Sequence, residues 1–189
     1  MTSKSKEDQF KQCLQDMKKI MDSNNQEFFL AWGTLLGCYR DNKFISYDGD
    51  IDIGILEDKF NIAVIDKVLK SKKFKLHKKY GGQKTKNLEY TFKHSNGVKI
   101  DIFIYYKIKE DFYYTSTFNC LCSKRKDGFC KWGRHIRGFT ETEFYGHKYL
   151  IPANTSEHLI DSYGEDFMTP KKFGYSKGLK EGLYKTLLN

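Results

Sequence analysis

Ser46-Tyr47-Asp48-Gly49-Asp50-Ile51-Asp52-Ile53-Gly54-Ile55 decides how this chain folds. Asp50 and Asp52 alternate with Ile51, Ile53 and Ile55, the period of a strand, so the isoleucines turn to a core and both carboxylates to the other face. Acids two apart on a strand stand roughly 6.5 Å apart, close enough for their oxygens to converge on one or two divalent cations. Like charges that close repel and raise each other's pKa, and a bound cation relieves the repulsion. Upstream, Phe28 to Trp32 reads as a short apolar strand that breaks at Gly33-Thr34, and Leu35 to Tyr39 continues as a helical turn. That order leaves backbone N–H groups facing outward, where free amides and the helix dipole favour a phosphate.

A third acid joins from further along. Leu88, Tyr90 and Phe92 alternate with Glu89, Thr91 and Lys93; Asn96-Gly97 interrupts; then Val98, Ile100, Ile102 and Ile104 alternate again, a hairpin signal. Asp101 lies between core-facing Ile100 and Ile102, so it points to the side of Asp50 and Asp52 if the strands are neighbours. A calcium loop of the EF-hand type also begins with alternate acids, but its sixth position would be Ile53 instead of glycine and its twelfth Lys59 instead of glutamate. An acidic turn at a strand mouth would leave the recurrence of Asp101 without a reason. The remaining reading is a two-metal phosphoryl or nucleotidyl transfer site. In it Asp50 and Asp52 bind magnesium or manganese, and Gly33 and Thr34 hold phosphate oxygens. Asp101 either completes the metal shell or accepts the proton of an attacking hydroxyl. Arg40 reaches toward a diphosphate, and Asp48 orients the loop or an outer ligand.

The chain's 189 residues suit one domain, and a net charge of +9 attracts anions such as nucleotides or phosphorylated polymers. Phe10, Cys13, Leu14, Met17, Ile20 and Met21 recur at helical spacing over about Lys6 to Met21. Asp58 is placed to cap a helix carrying Phe60, Val64, Val68 and Leu69. From Thr115 to Arg137 there is no period and many cations, which reads as a long functional loop, with Arg134 and Arg137 holding the donor or an anionic acceptor. Phe112, Tyr113, Tyr114, Trp132 and Phe139 supply either core or a cage for a quaternary ammonium. Cys120, Cys122, Cys130 and His135 have the ligand types for structural zinc at poor spacing; five cysteines in no framework fit reduced thiols. Tyr149-Leu150-Ile151 precedes Pro152, and a short helix runs from Asn154 or Thr155 to Tyr163-Gly164. Met1 to Asp8 lacks an apolar leader and no window reaches about 18 apolar residues, so a soluble, cytoplasmic protein without a membrane span is expected.

Gly33-Thr34, Asp50-x-Asp52 and Asp101 fill the places of the polymerase beta-like nucleotidyltransferase superfamily. More narrowly, Trp32-Gly33-Thr34-Leu35-Leu36-Gly37, Arg40, Phe44-Ile45 and Asp48-x-Asp50-x-Asp52 resemble the LicD family, which includes the fukutin-related proteins. Val98 to Phe103, Phe144-Tyr145-Gly146, Ile151-Pro152, Leu159, Tyr163 to Phe167 and Pro170 continue the likeness in order. Ser46-Tyr47 replaces the family's usual Pro-Trp, and Phe167 a common Trp. The resemblance implies an α+β, nucleotidyltransferase-like mixed sheet flanked by helices. It divides residues 1–189 into an N-terminal helix (1–24), a motif-bearing core (25–170) and a tail (171–189). It also implies transfer of a phospho-alcohol, such as phosphocholine or phosphoribitol, from a CDP-linked donor to a sugar hydroxyl of a glycan or glycoconjugate. The carboxylates alone serve equally a transfer of a nucleotide to a small-molecule hydroxyl. A non-catalytic basic protein binding nucleic acid is the rival from another class.

Overall fold

A computed structural model describes residues 5–118, 128–172 and 187–188. Ser5 accepts the Asp8 N–H and starts α1 (Lys6–Asp22), whose buried Phe10, Cys13, Leu14, Met17 and Met21 match the expected stripe. β1 (Phe29–Leu30), α2 (Trp32–Asp41) and β2 (Asp50–Leu56) follow. Then come α3 (Ala63–Lys70), β3 (Phe74–Tyr80), β4 (Glu89–His94) and β5 (Lys99–Lys109). β6 (Phe112–Phe118), β7 (Phe129–His135), β8 (Phe139–Phe144), β9 (His147–Pro152), α4 (Thr155–Tyr163) and β10 (Leu187–Leu188) complete the order. The strands join in one mixed sheet, with order β10-β7-β6-β5-β2-β1-β9-β8, and with β4 and β3 branching from β5. Helices flank this sheet, an α+β arrangement as expected.

The central pair fixes everything else. β2 runs parallel to β5 with Asp50 opposite Lys99, Ile51 opposite Ile100, Asp52 opposite Asp101 and Ile53 opposite Ile102. Ile51, Ile53, Ile55, Ile100 and Ile102 are fully buried against α1 and α3, so the opposite face of both strands carries the acids. β5 is long enough to serve two partners: its first half pairs with β4 and its second with β6. On the acid face, beyond the carboxylates, Phe29, Trp32, Phe103, Tyr105 and Trp132 build a second apolar cluster.

Four expectations change. Residues 115–118 and 129–135 are the facing strands β6 and β7 and not a loop; β7 is buried on both faces, which erases the alternation that marks a strand. Lys124, Arg125, Lys126, Cys120 and Cys122 lie outside the described residues. Asp58 sits in a 3-10 turn (Glu57–Lys59), and α3 begins after Asn61, whose side chain accepts the Ala63 N–H at 3.0 Å. Zinc at Cys120, Cys122, Cys130 and His135 does not fit, because Cys130 is disulfide-bonded and has no free thiolate to give. That disulfide also departs from the expectation of reduced thiols, while Cys13 and Cys38 are free and buried. Among the described residues no helix is long and apolar enough to cross a membrane.

Candidate active site

The turn between β1 and α2 is the unusual piece of backbone. Ala31 is extended, and Trp32 then takes a φ of +42°, a left-handed conformation that bulky L-residues rarely adopt and that persists only where surroundings enforce it. The enforcement is visible. The Trp32 ring packs at 90° on Trp132 and lies 4.6 Å from the guanidinium carbon of fully buried Arg134, which donates to the Gly133 and Asp161 carbonyls. Turning there aims the next amide, Gly33 N–H, at Asp52 Oδ2, 3.1 Å away at the helix N-terminus. Thr34 Oγ1 accepts the Asp52 N–H at 2.8 Å, so one turn grips Asp52 by both backbone and carboxylate.

Asp48, Asp50, Asp52 and Asp101 open into one cavity of about 470 Å³ with Gly33 and Arg40 on its wall. Trp32, Tyr47, Phe103, Phe118, Tyr163 and Phe167 supply its apolar lining. A Cβ at residue 33 would collide with Asp48 Oδ2 and lie 3.4 Å from Asp52 Oδ2, so only glycine leaves that space to the carboxylates. Lys6 of α1 donates to the Ser46 and Asp48 carbonyls at 2.9 and 2.6 Å and so holds the Asp48 loop. The Tyr47 hydroxyl donates to the Lys171 carbonyl at 2.8 Å, tying that loop to the opposite wall.

Burial is the largest influence on every acid here, and for Asp48, Asp52 and Asp101 neighbouring carboxylates add to it. Asp48 is pushed up to about 6 by burial and by Asp50. Asp101 is pushed up to about 7, mainly by burial, against the opposing pull of the Thr91 hydroxyl. Asp52 is raised well above the usual carboxylate range by burial, then by Asp50, Asp48 and Asp101. Asp50 is raised by burial, with Lys99 and Lys6 pulling it back. The buried Oδ1 of Asp101 makes no hydrogen bond. Oxygen-only ligands, an orphaned buried carboxylate oxygen and a glycine-made gap between two carboxylates suit a hard divalent cation. Among the described residues no three such side chains are drawn together as a ready ligand cage.

Not every expected residue meets this cavity. Arg40 lines it but is ion-paired with neighbouring Asp41 at 2.9 Å. Thr34 is buried beneath Asp52 and acts on it in place of a phosphate. Arg134 is walled off behind Trp32, and Arg137 is paired at the surface with Glu157 at 2.9 Å. Of the expected aromatic cage, Trp132 is core and donates to Thr117 Oγ1 at 2.8 Å, and Phe112 packs on His135. The residue that sequence reasoning missed is Glu89. It lines the cavity from β4, is 7 % exposed, and accepts the Phe118 N–H at 3.2 Å. Burial, then Asp101, pushes it up to about 8. Its position in the alternation of β4, on the same face as Asp101, was the available signal.

A buried carboxylate constellation on one sheet face, beside a glycine turn, marks a candidate active site of a transferase class, and the family match is in keeping with a transferase. The profile described as LicD/FKTN/FKRP, nucleotidyltransferase domain, matches residues 25–154, and the chain belongs to that family. It is 28% identical over 162 residues to human ribitol-5-phosphate transferase FKTN, covering 86% of this chain and 34% of that protein. The protein of the same name from Macaca fascicularis is 29% identical over the same shares. The uncharacterized protein W02B3.4 of Caenorhabditis elegans is 26% identical, covering 88% of this chain and 45% of its own length. The chain thus spans less than half the length of these relatives.

Proposed function

We propose that this chain is a metal-dependent phosphotransferase on a nucleotidyltransferase-like fold, moving a phospho-alcohol of the phosphoribitol or phosphocholine type from a CDP-linked donor to a sugar hydroxyl of a glycan. The observation that carries the reading is the convergence of Asp50, Asp52 and Asp101 on one cavity beside the Gly33 turn. The relatives' printed activity, ribitol-5-phosphate transfer, supports the choice of group. Asp50 and Asp52 would hold magnesium or manganese. Such an ion, when bound, neutralises charge on a donor diphosphate and polarises the phosphorus under attack.

The chain's own residues do the rest. Trp32, Gly33 and Thr34 fix Asp52 so that its carboxylate does not reorganise during transfer. The acceptor hydroxyl forms the new P–O bond, the bond from the phospho-alcohol to CMP breaks, and the hydroxyl proton passes to a carboxylate. Asp101 takes that proton in our reading, since Asp50 and Asp52 are committed to the ion, and Glu89 beside it is the neighbouring carboxyl through which the proton leaves. Arg40 exchanges Asp41 for the donor diphosphate.

The test is thermal stabilisation by a panel of nucleotides and CDP-alcohols with magnesium or manganese, with Asp50→Asn and Asp52→Asn alongside. Metal-dependent stabilisation by a CDP-alcohol, lost in both variants, is the expected result. No response to any cytidine nucleotide, or equal responses in the variants, refutes the reading. Preference for ATP or UTP turns it to nucleotidyl transfer.

A further inference from the structure

Strand register lays the acid face out as a grid. Across β3, β4, β5 and β2 one row reads Lys75, Lys93, Lys99, Asp50, and the next reads Lys78, Thr91, Asp101, Asp52. A third reads Tyr80, Glu89, Phe103, Gly54. Residues opposite one another in register share a face, so the catalytic acids occupy one corner of a surface whose other side is lysine. Lys75, Lys78, Lys93 and Lys99 are all exposed. Among the described residues no carboxylate lies within ion-pair distance of any of them, although Lys73 and Lys86 nearby do have such partners. Lys75 directly opposite Lys93, and Lys93 directly opposite Lys99, are like-charge cross-strand pairs, which destabilise a sheet. A polyanion lying across them removes that repulsion, as a cation does for the acids.

The grid also has a direction. Strand spacing puts Lys75 roughly 10 Å from Lys99 and roughly 14 Å from Asp50. Lys99 and Lys78 already act electrostatically on Asp101, so the lysine rows run into the reacting corner. We propose that this open face is the acceptor track: a linear acceptor carrying phosphates in series crosses Lys75, Lys93 and Lys99 and delivers its terminal hydroxyl to the acid corner. Its role as acceptor rests on the transfer reaction proposed above. The charge complementarity itself does not.

Fluorescent inorganic polyphosphate is the probe, followed by anisotropy through a salt series. Wild type is compared with Lys75→Gln/Lys93→Gln and with Lys67→Gln/Lys70→Gln on α3, which packs on the isoleucine face and loses the same net charge. Nucleotide-dependent thermal stabilisation is read on the same proteins. The expected result is about a tenfold loss of polyphosphate affinity in the first variant and a salt slope shallower by about 1 to 2. The α3 variant should stay within about twofold of wild type, and CDP-alcohol stabilisation should be unaltered in both. No polyphosphate binding by wild type, or equal losses in the two variants, overturns the track while leaving the transfer reading intact. Tighter binding of single-stranded DNA than of polyphosphate of equal charge overturns it in favour of a nucleic-acid surface. Lysine-dependent polyphosphate binding with no response to any nucleotide removes the acceptor assignment.

Discussion

Asp16 and Asp52 are both buried, at 3 % and 8 % exposed, and the protein treats them in opposite ways. Asp16, on α1 over the isoleucine face, is fully served: Lys73 Nζ is 2.6 Å away, Gln12 Nε2 3.0 Å and His94 Nε2 3.1 Å. Burial pushes its carboxyl up, but those three hydrogen bonds outweigh it and hold Asp16 below the ordinary range. Among the described residues the Asp52 carboxylate receives the Gly33 amide alone; it faces three other aspartates and is driven upward. An acid that staples helix to sheet comes with its partners. An acid left in deficit, as Asp52 is, has the signature of a functional site, in line with the role proposed for it.

The contrast predicts opposite phenotypes, largest first. Asp52→Asn removes the proposed metal ligand and a repulsion together, so the proposed transfer activity should fall by about 1000-fold or more while the metal-free melting temperature holds or rises. A clear loss of stability would erase the distinction between the two acids. Asp16→Ala leaves Lys73 and His94 with no counterpart and should cost about 3 kcal/mol in denaturant unfolding, with kcat per folded molecule preserved. Gly33→Ala pushes the Asp48 carboxylate out of its place beside Asp52, and about a 100-fold drop in the proposed activity is expected in a protein that still folds by circular dichroism.

Smaller effects sharpen the same opposition. The raised acids stabilise the fold below about pH 4 and lose that contribution as pH climbs through about 6 for Asp48, 7 for Asp101 and 8 for Glu89. Asp16, with a lowered pKa, contributes above about pH 4 and loses its share only in stronger acid. Metal-free melting temperature should therefore peak near pH 4 and drop by several degrees toward pH 8, and magnesium should flatten the alkaline side alone. A flat metal-free profile between pH 5 and 8 would mean the acids are not in deficit. Last, Thr34→Val strands the Asp52 amide without an acceptor. About 1 kcal/mol of stability should go with it, along with a drop in kcat that Thr34→Ser restores.

Much of this layout was readable in advance. The alternation around Asp50 and Asp101 names the strands and their faces, and Asn96-Gly97 names the hairpin, where His94 N–H bonds the Val98 carbonyl at 2.8 Å. What alternation does not carry is partnership. That Asp52 stands opposite Asp101, and that three lysines from three strands form a row, depends on pairings between segments far apart in sequence. Glu89 looked like the polar side of an ordinary half-exposed strand, because nothing local told that the Phe118 end of β6 would cover it. Arg134 reads as a loop cation for the donor or an anionic acceptor for the same reason, and only tertiary packing sets it behind Trp32. Strand β7 was hidden by being buried on both sides.

The parity of β2 and β5 has a consequence for quality control. Because their acids and isoleucines alternate, a slip of either strand by one residue would send Asp52 or Asp101 into the apolar layer and an isoleucine into the cavity. Chemistry and core are written on the same two strands in opposite phase. A molecule misregistered by one residue on either strand would therefore also lose its acid cluster.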